Sequence, residues 1–220
     1  MSDSKSQLTL FYSSKSPFSN FYKCKFHIDG KHSYCCSEQY YMHQKAMFFK
    51  DYESAERILN CENPAQMKRL GRRIKNFNDG EWKEVCRLVM KRALWAKFSQ
   101  TNLAAKLLQT TGTEMVEASP SDCRWGVGLS ANNPKIMDKK LWRGQNWLGK
   151  LLDEVRSDLA KYIDNDFEFK VGHVPDVSMR YRAFVYPEGY EDDDIQCQPP
   201  NHDQSDNEDD CKRNSNVLHH

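Results

Sequence analysis

The sequence predicts a mainly α chain with a few short strands, an α+β architecture organised as one compact helical domain. Three observations carry that reading. Apolar residues recur at helical spacing over long stretches, as in Trp82, Val85, Cys86, Val89, Met90, Ala93 and Leu94, and again in Leu148, Leu151, Leu152, Val155 and Leu159. Strand-like alternation is confined to short runs such as 7–12 (QLTLFY) and 23–28. The chain has 220 residues, of which 39% are hydrophobic and 12% aromatic, enough for a core over most of its length.

Each element has its own signal. Ser13 to Asn20 is Ser-rich with one Pro and reads as a loop between the first two strands, and Asp29-Gly30 reads as a turn. Ser37 is placed to cap a helix from Glu38 to about Phe49, and Ser54 to Leu59 reads as a short helix. Asn63-Pro64 is a cap followed by Pro at the first helical position, opening a helix to Arg73. A long helix starts at Asp79 or Gly80 and runs to Phe98, and another covers Asn102 to Gln109 before Gly112. Met115 to Ala118 is a candidate strand, and Gln145 to Ile163 a strongly amphipathic helix. Phe167 to Val171 and Tyr181 to Tyr186 are candidate strands of an add-on. The expected organisation is therefore a main domain over 1–164, an add-on over 165–186 and an acidic disordered tail over 187–220.

Charge divides the chain. Pro187 to Asp210 holds ten acidic residues and no Lys or Arg, whereas residues 1–186 hold 30 basic and 21 acidic residues, a net of +9. A basic body suits phosphate-bearing ligands or nucleic acid. No apolar run approaches the roughly 18 residues of a membrane span, so no membrane partner is expected. The polar start, Met1 to Gln7, lacks a secretory signal, so the expected location is intracellular, cytoplasmic or nuclear. The eight Cys form no CxxC pair and the His no zinc-finger spacing, so neither a metal nor another cofactor is expected.

Four clusters carry candidate chemistry. Glu38 and Lys45 are seven residues apart, two turns on one helix face and about 10.5 Å along the axis. That separation leaves room for a sugar ring between carboxylate and amine, and it exceeds the usual i,i+4 ion pair. The intervening Tyr41 and Met42 argue for a partly buried face; the plain alternative is two charges on a wet one. The second cluster runs from Glu117 through Asp122 and Trp125 to Gly126 and Gly128, where Asp122 suits a hydroxyl or water and Trp125 a base. Its plain alternative is a turn-capping Asp and a core Trp. The third, Gly144 to Gly149, opens the last helix and presents backbone N–H groups suited to phosphate, or is simply a capped helix start. The fourth is Gly71-Arg72-Arg73 with the later Lys97-Phe98, where Arg72 matches a phosphate fork or completes a helix C-terminus.

In order along the chain, these pieces resemble the NADAR, or YbiA-like, family of N-glycosidases. The resemblance rests on Ser16-Pro-Phe18-Ser-Asn20-Phe21, Glu38-Gln-Tyr-Tyr-Met-His-Gln44-Lys45, Gly71-Arg72 and the Ala-x-x-Ala-Lys-Phe run at 93–98. It continues through Val116-Glu117-Ala118 with Asp122 and Trp125-Gly126-x-Gly128, then Gly144-x-Asn146-x-Leu148-Gly149 and Val155-Arg156. It covers about residues 8–160; residues 165–220 lie outside it, and Asn132 to Trp142 looks like a basic insertion. The resemblance implies a hydrolase acting on an N-glycosyl bond, without a cofactor. The substrate class it implies is a phosphorylated ribosylamine such as an early riboflavin intermediate, or ADP-ribose attached to a base such as guanine, free or within nucleic acid. It implies Glu38, Lys45 and Asp122 as catalytic positions, and Asn20, Phe21, Gln44, Arg72, Trp125, Gly126 and Asn146 as substrate-binding ones. The alternative is a non-catalytic module that binds ADP-ribose or a nucleotide.

The chemistry of such a bond fits these residue types. Breaking C1′–N builds positive charge on the ribose, which a carboxylate stabilises, and the leaving nitrogen needs a proton. Glu38 is thus a proton carrier or oxocarbenium stabiliser. Lys45 is a nucleophile toward an opened sugar aldehyde or an electrostatic contact.

Overall fold

The computed structural model describes residues 7–28 and 32–164. The turn at Asp29-Gly30, the strands expected at 167–171 and 181–186 and the acidic stretch lie outside these residues. The element order is β1 (Gln7–Phe11), β2 (Phe26–Ile28), β3 (His32–Tyr34), α1 (Ser37–Phe48), α2 (Tyr52–Leu59), α3 (Pro64–Gly71), α4 (Asp79–Phe98), α5 (Thr101–Leu108), β4 (Thr113–Glu117) and α6 (Trp147–Asp164). Two 3₁₀ turns, Pro134–Met137 and Lys139–Leu141, precede α6. The mainly helical expectation is met. The described residues fall into two compact units, one containing 23–97 and the other 7–22 with 98–164.

In the first unit, β2 and β3 form an antiparallel hairpin with Phe26 opposite Tyr34. The chain then enters α1, which contacts both α2 and α3. Nearly every residue of α1 is buried, including Glu38, Gln39, His43 and Gln44. Burial of polar groups is tolerable only where they find partners. Gln39 illustrates this: its Oε1 accepts from the Cys35 N–H at 2.8 Å, and its Nε2 lies 3.0–3.1 Å from the carbonyls of Ile58, Leu59 and Cys61. From α4, Trp82 donates its indole N–H to the Tyr41 hydroxyl at 2.7 Å and packs against Phe48 and Phe49.

Helix starts follow local capping signals in some places and tertiary bonds in others. Asn63 caps α3 as expected, accepting from Ala65 and Gln66 N–H. Ser37 is not the cap of α1: Cys36 holds that position in extended conformation, without a side-chain bond, and Ser37 lies inside the helix. α2 starts two residues earlier than Ser54 because Asp51 caps it, accepting from Ser54 N–H while its other oxygen accepts from Lys75 N–H.

In the second unit, β1 lies parallel to β4 with Leu10 opposite Val116. Val116, Ala118, Val127, Leu129 and Ile136 form a core that Leu8, Leu10 and Trp142 flank. The expected insertion at 132–142 contributes to this core through Ile136, whose carbonyl accepts the Trp142 indole N–H at 2.8 Å. Asn133 and Asp138 cap its two 3₁₀ turns. Arg156 of α6 donates to the carbonyls of Thr110 and Thr113 and to Asp153, fastening α6 to the turn before β4.

Candidate functional site

Glu38 sits in the first turn of α1 and is 5% exposed. Lys45 lies two turns further along, with its Nζ donating to the Gly71 carbonyl at 3.0 Å and standing 3.6 Å over the centre of the Phe77 ring. A carbonyl oxygen and an aromatic face both suit a charged ammonium. The partly buried face expected from Tyr41 and Met42 is therefore present, and both of those residues are buried. Gly71 makes this approach of α3 to α1 possible. A Cβ there would overlap the Met42 side chain, so only glycine lets its carbonyl reach Lys45. Arg72 follows at the C-cap of α3 and is exposed.

The neighbouring Gln44 is buried and stands 3.2 Å from the His43 Nδ1, which the Tyr34 hydroxyl also approaches to 3.1 Å. With a hydroxyl and an amide NH₂ as donors, Nδ1 is the acceptor and the ring is neutral. Burial lowers the His43 pKa from 6.5 to about 4, with His32 acting in the same sense. The sign of the consequence is fixed. Between those values the unfolded chain binds a proton that the folded one refuses, so stability present above pH 6.5 is lost as pH falls toward 4. Up to about 3 kcal/mol is at stake over that fall. Urea melts of wild type and His43→Gln at pH 7 and pH 4.5 check this: the variant is expected to lose less stability on acidification.

Asp122, Trp125, Gly126 and Asn146 lie in the other unit. The Asp122 carboxylate accepts from the N–H groups of Arg124 and Trp125 at 3.0 and 2.8 Å, so one oxygen holds the turn. Trp125 is half-buried and meets Trp147 edge to face at 5.8 Å. Gly126 admits no side chain, because a Cβ would crowd Ser119 and the carbonyls of Asp122 and Glu117. Asn146 is fully buried in left-handed conformation, φ 52°. Its amide donates to the Met115 carbonyl and accepts from the Glu117 N–H, at 2.9 and 3.1 Å.

The phosphate reading of the Gly144 to Gly149 segment fails. The N–H groups of residues 144–148 are spent on carbonyls of Val127, Cys123, Gly126, Arg124 and Trp125. A helix start whose donors are already paired is no anion site. Asn20 and Phe21 belong to the same unit, in a run of turns at 13–22 anchored by Phe18 against Phe11 and Phe98. The Asn20 Oδ1 is buried without a hydrogen-bond partner among the described residues.

Lys97 at the end of α4 is fully buried. Burial lowers its pKa from 10.5 to about 8, against the opposing influence of Cys24 and Cys36. The sequence sets Lys97 in the cluster with Gly71-Arg72-Arg73 and in the motif at 93–98 without a role of its own; burial of a lysine within an apolar stripe leaves no periodic signature. Gln39 was likewise quoted within a motif without a role. Among the described residues no group of three or more His, Cys, Asp or Glu is placed to hold a metal ion, and no helix is long and apolar enough to cross a membrane.

Comparison with known proteins gives this geometry its context. Residues 10–160 match the model of the NADAR domain. The chain belongs to the NADAR family. Relatives of this NADAR chain include protein irg-1 of Caenorhabditis elegans, 39% identical over an alignment of 166 residues that covers 68% of this chain and 78% of that protein. N-glycosidase R617 of Acanthamoeba polyphaga mimivirus is 38% identical over 126 residues, 57% of this chain and 74% of its own. The NMR structure of YbiA from Escherichia coli superposes with a TM-score of 0.61 at 32% identity, covering 74% of this chain and 90% of YbiA.

Proposed function

We propose that this chain is an N-glycosidase, a hydrolase that cleaves the C1′–N bond of a phosphorylated ribosylamine or of ADP-ribose attached to a base such as guanine. One observation carries the reading: a buried carboxylate and an anchored lysine stand two turns apart on one face of α1. Relatives named N-glycosidases support the reaction class. In this account Glu38 faces the developing oxocarbenium charge or carries the proton to the leaving nitrogen. A carboxylate withdrawn from water acts more strongly on that charge than an exposed one. Lys45 supplies a fixed positive charge or the amine that attacks the opened sugar. Arg72, exposed and one residue beyond the Lys45 anchor, takes a phosphate, with Gln44 lining the same helix. Asn20, Phe21, Asp122, Trp125, Gly126 and Asn146 are assigned to substrate by their match to the family motif. The Asn20 Oδ1 lends that assignment an acceptor in search of a donor. Gly126 and Asn146 act by shaping the backbone around them.

The test is a panel of riboflavin-pathway ribosylamines, ADP-ribosylated guanosine and ADP-ribosylated DNA incubated with the full chain, followed by chromatography of the released sugar. Release from at least one member is expected; none from any would remove the proposal.

Trp125→Ala and Asp122→Asn separate binding from chemistry in the second cluster. Base–aromatic stacking is worth about 1–3 kcal/mol, so Trp125→Ala is expected to weaken ligand binding roughly five- to 150-fold. Asp122→Asn keeps the shape of the turn and is expected to lower turnover more than affinity. Titration calorimetry alongside thermal melts decides. A Trp125→Ala protein that loses about 3–5 kcal/mol of stability yet binds normally would make Trp125 a core residue only.

A further inference from the structure

Beside the β2–β3 hairpin is a cleft of about 570 Å³, lined among others by Lys23, Cys24, Lys25, Cys35, Asn60 and Cys61. Its floor is held by Gln39, which ties the end of β3 to the segment after α2. Neither Glu38 nor Lys45 lines it, and nothing in the glycosidase reading uses it. Three free thiols and two lysines around one cavity are an unusual set for a surface with no task.

We infer that this cleft is a thiol-modification site, in which a small anionic disulfide is reduced as Cys35 and Cys24 close into a disulfide of their own. Backbone geometry singles out this pair. The hairpin register, Phe26 opposite Tyr34, slips by one residue before β2, so that the Cys24 N–H donates to the Cys35 carbonyl at 2.9 Å. A backbone N–H···O bond of this kind across neighbouring antiparallel chains holds the two Cα atoms roughly 5.5 Å apart. That lies inside the range of roughly 4.4–6.8 Å that a disulfide accepts. Both thiols line the cleft and both residues are half-buried, so a small molecule reaches them.

The other thiols are set aside by their surroundings. Cys36 is fully buried, and its pKa is pushed up to about 12, chiefly by burial. Cys61 is buried, with its Sγ donating to the Asn63 carbonyl at 3.4 Å. Cys86 is fully buried, its Sγ turned to the Lys83 carbonyl. Burial also raises the Cys24 pKa, against the pull of Lys97 and with a further push from Cys35. Cys24 is thereby disfavoured as the attacking thiolate, which leaves Cys35, half-buried at the cleft, to attack first.

The steps balance. The Cys35 thiolate displaces one half of the incoming disulfide as a thiolate, which takes up the proton that Cys35 released, and a mixed disulfide forms on Cys35. The Cys24 thiolate then attacks the Cys35 sulfur and expels the second half, which takes the Cys24 proton. Two cysteine thiols are oxidised to one disulfide, and one ligand disulfide is reduced to two thiols. Lys23 and Lys25, both exposed at the cleft against the single carboxylate of Glu62, favour a disulfide bearing carboxylates.

The experiment exposes the reduced full chain to oxidised glutathione, which is anionic, or to uncharged hydroxyethyl disulfide. Free thiols are then alkylated and peptides mapped by mass spectrometry. The expected dominant product is a Cys24–Cys35 cross-link. The rate ratio between anionic and uncharged reagent is expected to fall about tenfold in Lys23→Ala/Lys25→Ala. Pairing of Cys35 with Cys61 or Cys36, no oxidation, or a rate ratio unchanged in the double variant would overturn the inference. The wild-type cross-link needs no substitution, so misfolding of a variant does not mask it. The readout is covalent mass rather than sugar release, so it stands or falls apart from the glycosidase reading.

Discussion

Lys45→Ala is expected to lower turnover of the N-glycosyl substrate by about 10²-fold or more, with little change in folding. The Nζ that it removes donates to the Gly71 carbonyl and lies over the Phe77 ring, at a half-buried position where water replaces what is lost. The stability cost is therefore small beside the kinetic one. Lys45→Arg keeps the positive charge and removes the amine nucleophile, and so separates the two roles. Activity retained in Lys45→Arg with no adduct after borohydride assigns an electrostatic contact. Loss in both variants with a borohydride-trapped sugar on Lys45 of the wild type assigns a Schiff base. Normal turnover in Lys45→Ala would take Lys45 out of the reaction.

Asn146→Ala is expected to destabilise the fold by about 3–7 kcal/mol, read by urea denaturation. The side chain is fully buried, and its loss strands two backbone groups of β4, the Met115 carbonyl and the Glu117 N–H. Each buried group left without a partner costs about 1–3 kcal/mol. The left-handed backbone at φ 52° adds to this, since asparagine tolerates it better than alanine, by about 1 kcal/mol. Asn146→Gly relieves the backbone term and keeps the hydrogen-bond loss, so it is expected to fall between the two. A loss below about 0.5 kcal/mol in both would show that the clamp on β4 is not a source of stability.

The parts of this fold legible in the sequence are those fixed by local chemistry. The α4 bounds follow from an apolar stripe and an acidic start, and α3 opens at Asn63-Pro64 because cap and proline are both local. β3 has no signal in the sequence, because three residues (His-Ser-Tyr) carry no alternation, and the strand exists through its partner β2. The start of α2 was misplaced because Asp51 earns its role as cap partly through a distant bond to Lys75 N–H. The 3₁₀ turns before α6 depend on Ile136 reaching a core assembled from β4 and the 127–129 segment. At the candidate site, the Glu38–Lys45 spacing was visible as helix arithmetic, whereas the anchor at Gly71 and Phe77 is tertiary. The donors at 144–148 looked available from sequence because their acceptors lie some twenty residues earlier in the chain.

The central claim is that the buried carboxylate of α1 breaks a C1′–N bond rather than merely holding a ribosyl ligand. Its most direct test follows ADP-ribosylated guanosine with wild type and with Glu38→Gln, measuring binding and base release on the same samples. The account predicts free guanosine from the wild type, with release slowed at least about 10²-fold in Glu38→Gln and binding little changed. Tight binding by the wild type without any release, or equal release by both proteins, would contradict it.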